Sequence, residues 1–370
     1  MTFPHYPKSR EIYSHTGLRG IAAMVVVLFH FYSGHNSVIL RFLNWVGYAV
    51  DFFFILSGFI LNWVYLGKGS SLNWYSYIKA RIARIIPLYF LTTFVFLPCD
   101  IFSYFKYGLT YLGKNYPVTL VSNLLMISGI MDGEHHTLNV PAWSISVEFF
   151  CYLTVFPLLV ILAKSISKKR FNIYFLVILV LICAQGLVLC YQIHPISILV
   201  WHWNSSFLMR GIFGFSLGFF LCSIYRKSAI AQCRPRVGLI NFVVLCAVIV
   251  FFLSRLSLIP EDTLLYSFPF LVFFTAYDEG IFAVLLKLSP LQWLGERSYS
   301  IYLWHVPVLY FMGRTYKYIC SQHVGAPHYR LTYFFLFLLI VLAISELSYR
   351  YIEIPCRNYI RNMGRRPQTA

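Results

Sequence analysis

The chain has 370 residues, of which 59% are hydrophobic and only 12% charged, with a mean hydropathy of +0.68. A soluble domain carries about a quarter charged residues, so this composition excludes an ordinary soluble globule and indicates a polytopic membrane protein. The net charge of +17 would suggest a nucleic-acid partner in a soluble chain; here it reads as basic loops that orient helices in a lipid bilayer, and no nucleic acid is expected.

The opening segment MTFPHYPKSREIYSHTG is polar, so no cleavable signal is expected and the first apolar run is a retained span. Runs of about 20 apolar residues cross the hydrocarbon core. Ten are expected, at roughly 14–34, 43–66, 85–105, 141–163, 171–191, 206–225, 237–256, 264–286, 298–318 and 331–352. They make one all-α integral membrane domain over residues 1–370, with about ten transmembrane helices and a short, basic cytoplasmic tail at 357–370. A briefer stretch, VTLVSNLLMISGIM at 118–131, reads as re-entrant or interfacial.

With the amino terminus in the cytoplasm, 22 of the 30 Lys and Arg residues fall on cytoplasmic segments and seven on outer ones, with Arg210 inside a span. That asymmetry places both termini of a multi-pass membrane protein in the cytoplasm. The nine cysteines are scattered and form no ligand-like cluster, so neither a disulfide framework nor a metal site is expected.

An ionisable side chain in hydrocarbon needs a partner or a wet cavity. His30, Asp51, Glu148, Arg210, His305 and Glu346 are such residues. In LRGIAAMVVVLFHF, Arg19 stands at the cytoplasmic edge and His30 lies eleven residues on, roughly 16 Å deeper. Asp51 and Glu148 enter from the other side, each about 12 Å below the outer edge. Three groups able to transfer protons thus share a similar depth; the plain alternative is that His30 bonds a neighbouring helix and Glu148 pairs with an arginine. His305 lies roughly 10 Å above the cytoplasmic end of its span and reads as a tunnel-lining or structural residue.

In YIKARIARIIPLYF, Arg81 and Arg84 share one helical face; spacing allows either a topology anchor or a bidentate phosphate clamp. In NVPAWSISVEFFCYLTVFPLL, Pro141 suits a first helical turn and Trp143 the interface. Ser144, Ser146, Glu148 and Tyr152 make this span start unusually polar, with Ser144 and Glu148 four apart on one face.

Six ordered motifs resemble the acyltransferase 3 family of membrane proteins, which O-acylate bacterial sugars and polysaccharides: GLRGIAAMVVVLFHF with R-x10-H, VDFFFILSGFIL, YIKARIARIIPLYF with R-x-x-R, PAWSISVEFFCYLTVFP, LGERSYSIYLWHVPVLY and ELSYRYIEIPCRNYI. The likeness is to the stand-alone form, without a soluble esterase-like domain. It implies acetyl-CoA or another short acyl-CoA as donor substrate, with no permanently bound cofactor, and a sugar, glycolipid or polysaccharide hydroxyl as acceptor. It carries the family's intramembrane histidine onto His30 and its arginine partner onto Arg19. The R-x-x-R pair falls on Arg81 and Arg84, and W-S-x-S-x-E on Trp143, Ser144, Ser146 and Glu148. Phe149 and Phe150 stand where many members carry a second acidic residue or glutamine, which argues against a carboxylate pair here.

Acyl transfer from thioester to alcohol needs a base or a nucleophilic carrier, and imidazole can be either near neutral pH. His30 is therefore the expected base or acyl carrier, with Glu148 or Asp51 orienting it. Arg19, Arg81 and Arg84 would hold the donor, and Trp143, Ser144, Ser146 and Tyr152 the acceptor. The alternative from another class is a glycolipid transporter or flippase using the buried His and acids as a proton relay.

Overall fold

The computed structural model describes residues 11–32, 47–66, 72–107, 116–131, 138–165, 177, 205–230, 235–256, 258–259, 263–322 and 330–363. The expected span at 171–191 and the chain ends lie outside these residues, apart from position 177. All regular structure among them is helical: α1 (Tyr13–Tyr32), α2 (Ala49–Tyr65), α3 (Trp74–Phe94), α4 (Leu97–Tyr107), α5 (Tyr116–Leu124), α6 (Ser128–Met131), α7 (Ala142–Phe150), α8 (Phe156–Ser165), α9 (Ser205–Ile230), α10 (Val237–Arg255), α11 (Thr263–Thr275), α12 (Ile281–Leu286), α13 (Ser289–Glu296), α14 (Ser298–Gln322), α15 (Arg330–Ser348) and α16 (Ile354–Asn362). The protein is an all-α membrane protein.

Six stretches among the described residues are long and apolar enough to cross a bilayer: 13–32, 74–107, 142–163, 207–226, 237–254 and 332–362. Two shorter apolar helices, 49–65 and 265–275, accompany them. α14 is 25 residues long but less apolar, and it carries Ser298, Ser300 and His305 buried inside the protein.

Several expected boundaries move. The span expected at 85–105 starts at Trp74 and is interrupted at Val95–Phe96, just before Pro98, which has no N–H to continue the ladder. The span expected at 264–286 is not continuous. α11 stops at Thr275, and Asp278 turns the chain with φ +60°. There its Oδ1 accepts from Ser14 N at 2.9 Å and Ser14 Oγ at 2.6 Å, which satisfies an orphan donor in the first turn of α1. The stretch 118–131 forms two short helices broken at Met126, with Ser122, Asn123 and Ser128 fully buried. The tail expected from 357 is helical as far as Asn362, and α16 packs beside α3.

Helices in lipid associate through close backbone contact. A β-carbon on Gly58 of α2 would lie 1.9 Å from the Phe215 carbonyl oxygen, and one on Gly218 of α9 would lie 1.8 Å from that of Ile55. These glycines let α2 and α9 touch along their backbones. The lower turns of α1 are cradled by α12 and α13, where Gly20 faces the Leu291 carbonyl.

Two segments wind as π turns: Cys151–Val155, between α7 and α8, and Tyr349–Glu353, between α15 and α16. The Phe156 N–H reaches the Cys151 carbonyl and the Ile354 N–H that of Tyr349. Such bulges concentrate at functional sites, and both flank the cavity described next. An i+4 step overshoots a full α turn and falls short of the wider π turn. The two errors offset across Tyr349–Arg357, so Tyr349 and Arg357 line the same wall.

Candidate functional site

A cavity of about 480 Å³ lies between α1, α2, α3, α7, α14 and α16. Its wall includes exposed Glu11 and Glu296, so it reaches the surface at the end where α1 and α14 begin. There it is lined by Arg19, Arg81, Arg84, Arg357 and Arg361. Deeper, Ser57, Ser144, Glu148, Tyr152 and Tyr302 line it. Five guanidiniums against three carboxylates (Glu11, Glu148 and Glu296) make a cationic mouth suited to a polyanion.

Arg19, Arg81, Arg84 and Arg357 have partners that fix them. Arg19 Nη2 donates to Ser298 Oγ at 3.0 Å and feels the charges of Glu148 and Glu353 on one side and Arg84 on another. Arg81 Nη2 donates to Tyr65 Oη at 3.2 Å, its plane 5.5 Å from the rings of both Tyr65 and Tyr152. Arg84 Nη1 donates to Glu353 Oε2 at 3.0 Å, and Arg357 Nη2 reaches the same oxygen at 3.2 Å. Ser300 donates to the other oxygen, Oε1. One buried carboxylate shared by two guanidiniums leaves excess positive charge for a ligand. Arg81 and Arg84 thus do face one cavity, two to three turns inside α3 rather than at its first turn.

Glu148 belongs to this cavity. Its Oε1 accepts from both Ser57 Oγ and Tyr152 Oη, the latter one turn on across the start of the π turn. It does not touch His30, so the expected orienting contact is absent. The i, i+4 geometry and the packing of α7 on α2 direct it to Ser57 and Tyr152 instead.

Asp51 is not His30's orienter either. It sits fully buried in the first turn of α2, where Arg210 Nη2 and Nε donate to its two oxygens at 2.6 and 3.2 Å. Arg210 also donates to the Gly47 carbonyl and lies 5.9 Å from the Trp143 ring. This is an intramembrane ion pair near the start of α2, remote in sequence on both sides and invisible from spacing.

Arg19 lies eleven residues from His30 along one straight helix, so it meets Ser298 and not the histidine. His30 Nδ1 is 3.0 Å from the Val26 carbonyl and 3.2 Å from His305 Nε2. Tyr302 lines the cavity, holds Ser144 at 2.8 Å, and packs its ring 5.9 Å from that of His305. The cavity and the histidine pair therefore share one wall.

Of the residues expected at the acceptor side, Ser144 and Tyr152 line the cavity. Ser146 is turned away and fully buried, accepting from Gly129 N at 2.9 Å and donating to the Trp143 carbonyl. Trp143 stacks against Phe207 with ring centroids 4.2 Å apart. Both tie α7 to its neighbours and leave the cavity to Ser144 and Glu148. Among the described residues, no group of three His, Cys, Asp or Glu side chains could hold a metal ion.

Sequence reading missed Ser57, Tyr302, Glu353, Arg357 and Arg361. Glu353 and Arg357 carried one usable signal, the i, i+4 acid–base spacing on a helix.

A family model described as an acyltransferase domain (Acyl_transf_3) matches residues 12–346. The match ends before Tyr349, Arg357 and Arg361, which complete the cavity mouth. The O-acetyltransferase OatA of Staphylococcus aureus strain NCTC 8325 / PS 47 is 26% identical over 366 residues, covering 92% of this chain and 56% of the relative. The putative peptidoglycan O-acetyltransferase YrhL of Bacillus subtilis strain 168 is 23% identical over 376 residues, covering 95% and 56%. The putative O-acetyltransferase SACOL0978 of Staphylococcus aureus strain COL is 24% identical over 381 residues, covering 96% and 59%. The chain spans a little over half the length of these relatives. No solved structure matches.

Proposed function

Because this chain belongs to the acyltransferase family whose domain model it matches over residues 12–346, we propose that it is a membrane O-acyltransferase moving a short acyl group, acetyl first, from acyl-CoA to a sugar hydroxyl. The acceptor is a cell-surface polysaccharide or a glycolipid. The single observation that carries this reading is the cavity, which runs from a ring of arginines to Ser144, Glu148 and Tyr302 beside the pair of half-buried His30 and buried His305.

The phosphates of coenzyme A cannot enter hydrocarbon cheaply. Arg19, Arg81 and Arg84 hold them at the mouth, and Arg357 and Arg361 complete the clamp from α16. The thin pantetheine arm then lies along the cavity toward Tyr302. His30 takes the acceptor's hydroxyl proton as the C–O bond forms. The thioester C–S bond breaks, and the imidazolium returns the proton to the departing thiolate. With His30 as transient carrier, its Nε2 displaces the thiolate to form an acyl-imidazole C–N bond, and that bond breaks as the acceptor oxygen takes the acyl group and the hydroxyl proton passes to the thiolate. Glu148, fixed by Ser57 and Tyr152, faces Arg19 and shapes the field along the channel.

On this reading the basic end of the bundle faces the cytoplasm, where acyl-CoA is made, and the membrane is the plasma membrane. The transporter reading has no support in the comparisons.

The test is thiol release by the purified protein in lipid nanodiscs. Acetyl-CoA should be consumed with acceptor, and O-acetyl groups should appear on it by mass spectrometry. His30→Ala and His30→Gln should both abolish transfer while the protein inserts and melts normally. Glycolipid movement without thiol release, or full transfer by His30→Gln, overturns the reading.

A further inference from the structure

We propose that His305 is the positioning residue of this site: it accepts the Nδ1–H of His30, fixes its tautomer, and supports the imidazolium that forms during transfer. The proposal rests on the reading of His30 as base or acyl carrier given above. It assigns to a neutral imidazole the part that a carboxylate plays in a Ser-His-Asp triad.

The tautomer follows from the contacts. A backbone carbonyl can only accept, so the Val26 oxygen 3.0 Å from His30 Nδ1 places the proton on that nitrogen. His305 Nε2, 3.2 Å from the same Nδ1, must then accept. Nε2 of His30 is left carrying the lone pair, the atom that takes a hydroxyl proton or attacks a thioester. When Nε2 is protonated, the cation keeps both acceptors and nothing has to reorganise.

The tautomer of His305 follows in the same way. The ring is fully buried, and its Nδ1 faces the backbone carbonyls of Ile301 and Tyr302 one turn back in α14, which puts the proton on Nδ1 and leaves Nε2 to accept. Its one side-chain hydrogen-bond partner among the described residues is His30. Its ring also packs against Tyr302, a cavity wall residue, so it couples the channel that receives the donor to the reacting histidine. The carboxylates one would look to first are engaged elsewhere: Asp51 by Arg210, Glu148 by Ser57 and Tyr152.

The experiment compares His305→Gln, His305→Asn and His305→Phe with the wild-type chain and with His30→Gln, in nanodiscs. The readouts are kcat, KM for acetyl-CoA and thermal melting. The Gln carbonyl reaches the position of Nε2 and should retain at least about a third of kcat. Asn is too short to reach His30, and Phe keeps the ring without an acceptor. Both should lose kcat at least about thirtyfold, with KM for acetyl-CoA within about twofold. If Phe fails to fold, the Gln–Asn contrast carries the test. Equal kcat in Gln and Asn, or a full-rate Phe enzyme beside a dead His30→Gln, overturns the role of His305 while leaving His30 catalytic. An active His30→Gln overturns the parent reading instead.

Discussion

Arg84 of α3 and Glu353, at the end of the second π turn, meet at 3.0 Å across 269 residues of sequence. Glu353 is 2% exposed in its side chain and also takes Arg357 and Ser300. One carboxylate therefore pins the last helix to the arginine-bearing one.

Glu353→Gln tests that pin. Removing one partner of a buried ion pair costs about 3–5 kcal/mol. The melting temperature of the variant in detergent should fall by several degrees, and KM for the donor should rise because Arg84 and Arg357 repel without a counter-charge. Unchanged melting would show that α16 is held by other contacts.

Arg81→Ala should raise KM for acetyl-CoA about tenfold, the loss of one charge-assisted contact, with the protein still in the membrane. Arg84→Lys should rescue only part of the Arg84→Ala defect, since an ammonium lacks the bidentate fork. Isothermal titration with coenzyme A alone checks both. Unaltered binding by the Arg81→Ala/Arg84→Ala chain would return the pair to a topology anchor.

Asp51→Asn should act on folding and leave the chemistry intact. Arg210 would lose its counter-charge, and the yield of folded protein should drop sharply. The surviving enzyme should keep a kcat within about twofold of wild type. An apolar pair, Asp51→Leu with Arg210→Met, should recover yield, as replacement of buried ion pairs commonly does. A folded Asp51→Asn protein with no activity would restore a catalytic role to this carboxylate.

Reporter fusions at residues 75 and 167 should sit in the cytoplasm, and one at 198 on the outer side, on the strength of the basic asymmetry in sequence. The opposite result at two of the three sinks the ten-span topology; positions 167 and 198 lie outside the described residues.

The apolar runs were legible because lipid imposes length and composition on every span. Their ends were not, where tertiary contacts decide them. Asp278 breaks an apolar run to cap α1, a partner 264 positions away. Lys79, Arg81 and Arg84 placed the start of the span late, at 85, although the helix begins at Trp74 and both arginines face the cavity. Arg19, Arg81, Arg84, Ser144, Glu148 and Tyr152 were singled out in sequence, and all six line that cavity. Their pairing was not legible: Asp51 is claimed by Arg210 and Glu148 by Ser57, while His305 stands where a carboxylate was expected. Glu353 escaped because EIPCRNYI looks like a polar tail until α3 packs against it.

The cavity mouth joins Arg19, on the first helix described, with Arg357 and Arg361 on the last. A chain emerging from the ribosome therefore carries Arg19 and His30 for some 330 residues before their wall is complete. During that interval α1 must wait at the bilayer without its cradle of α12 and α13. On the proposed reading, a nascent or prematurely halted chain offers acyl-CoA no finished phosphate clamp, and transfer should begin only once synthesis has passed Arg361.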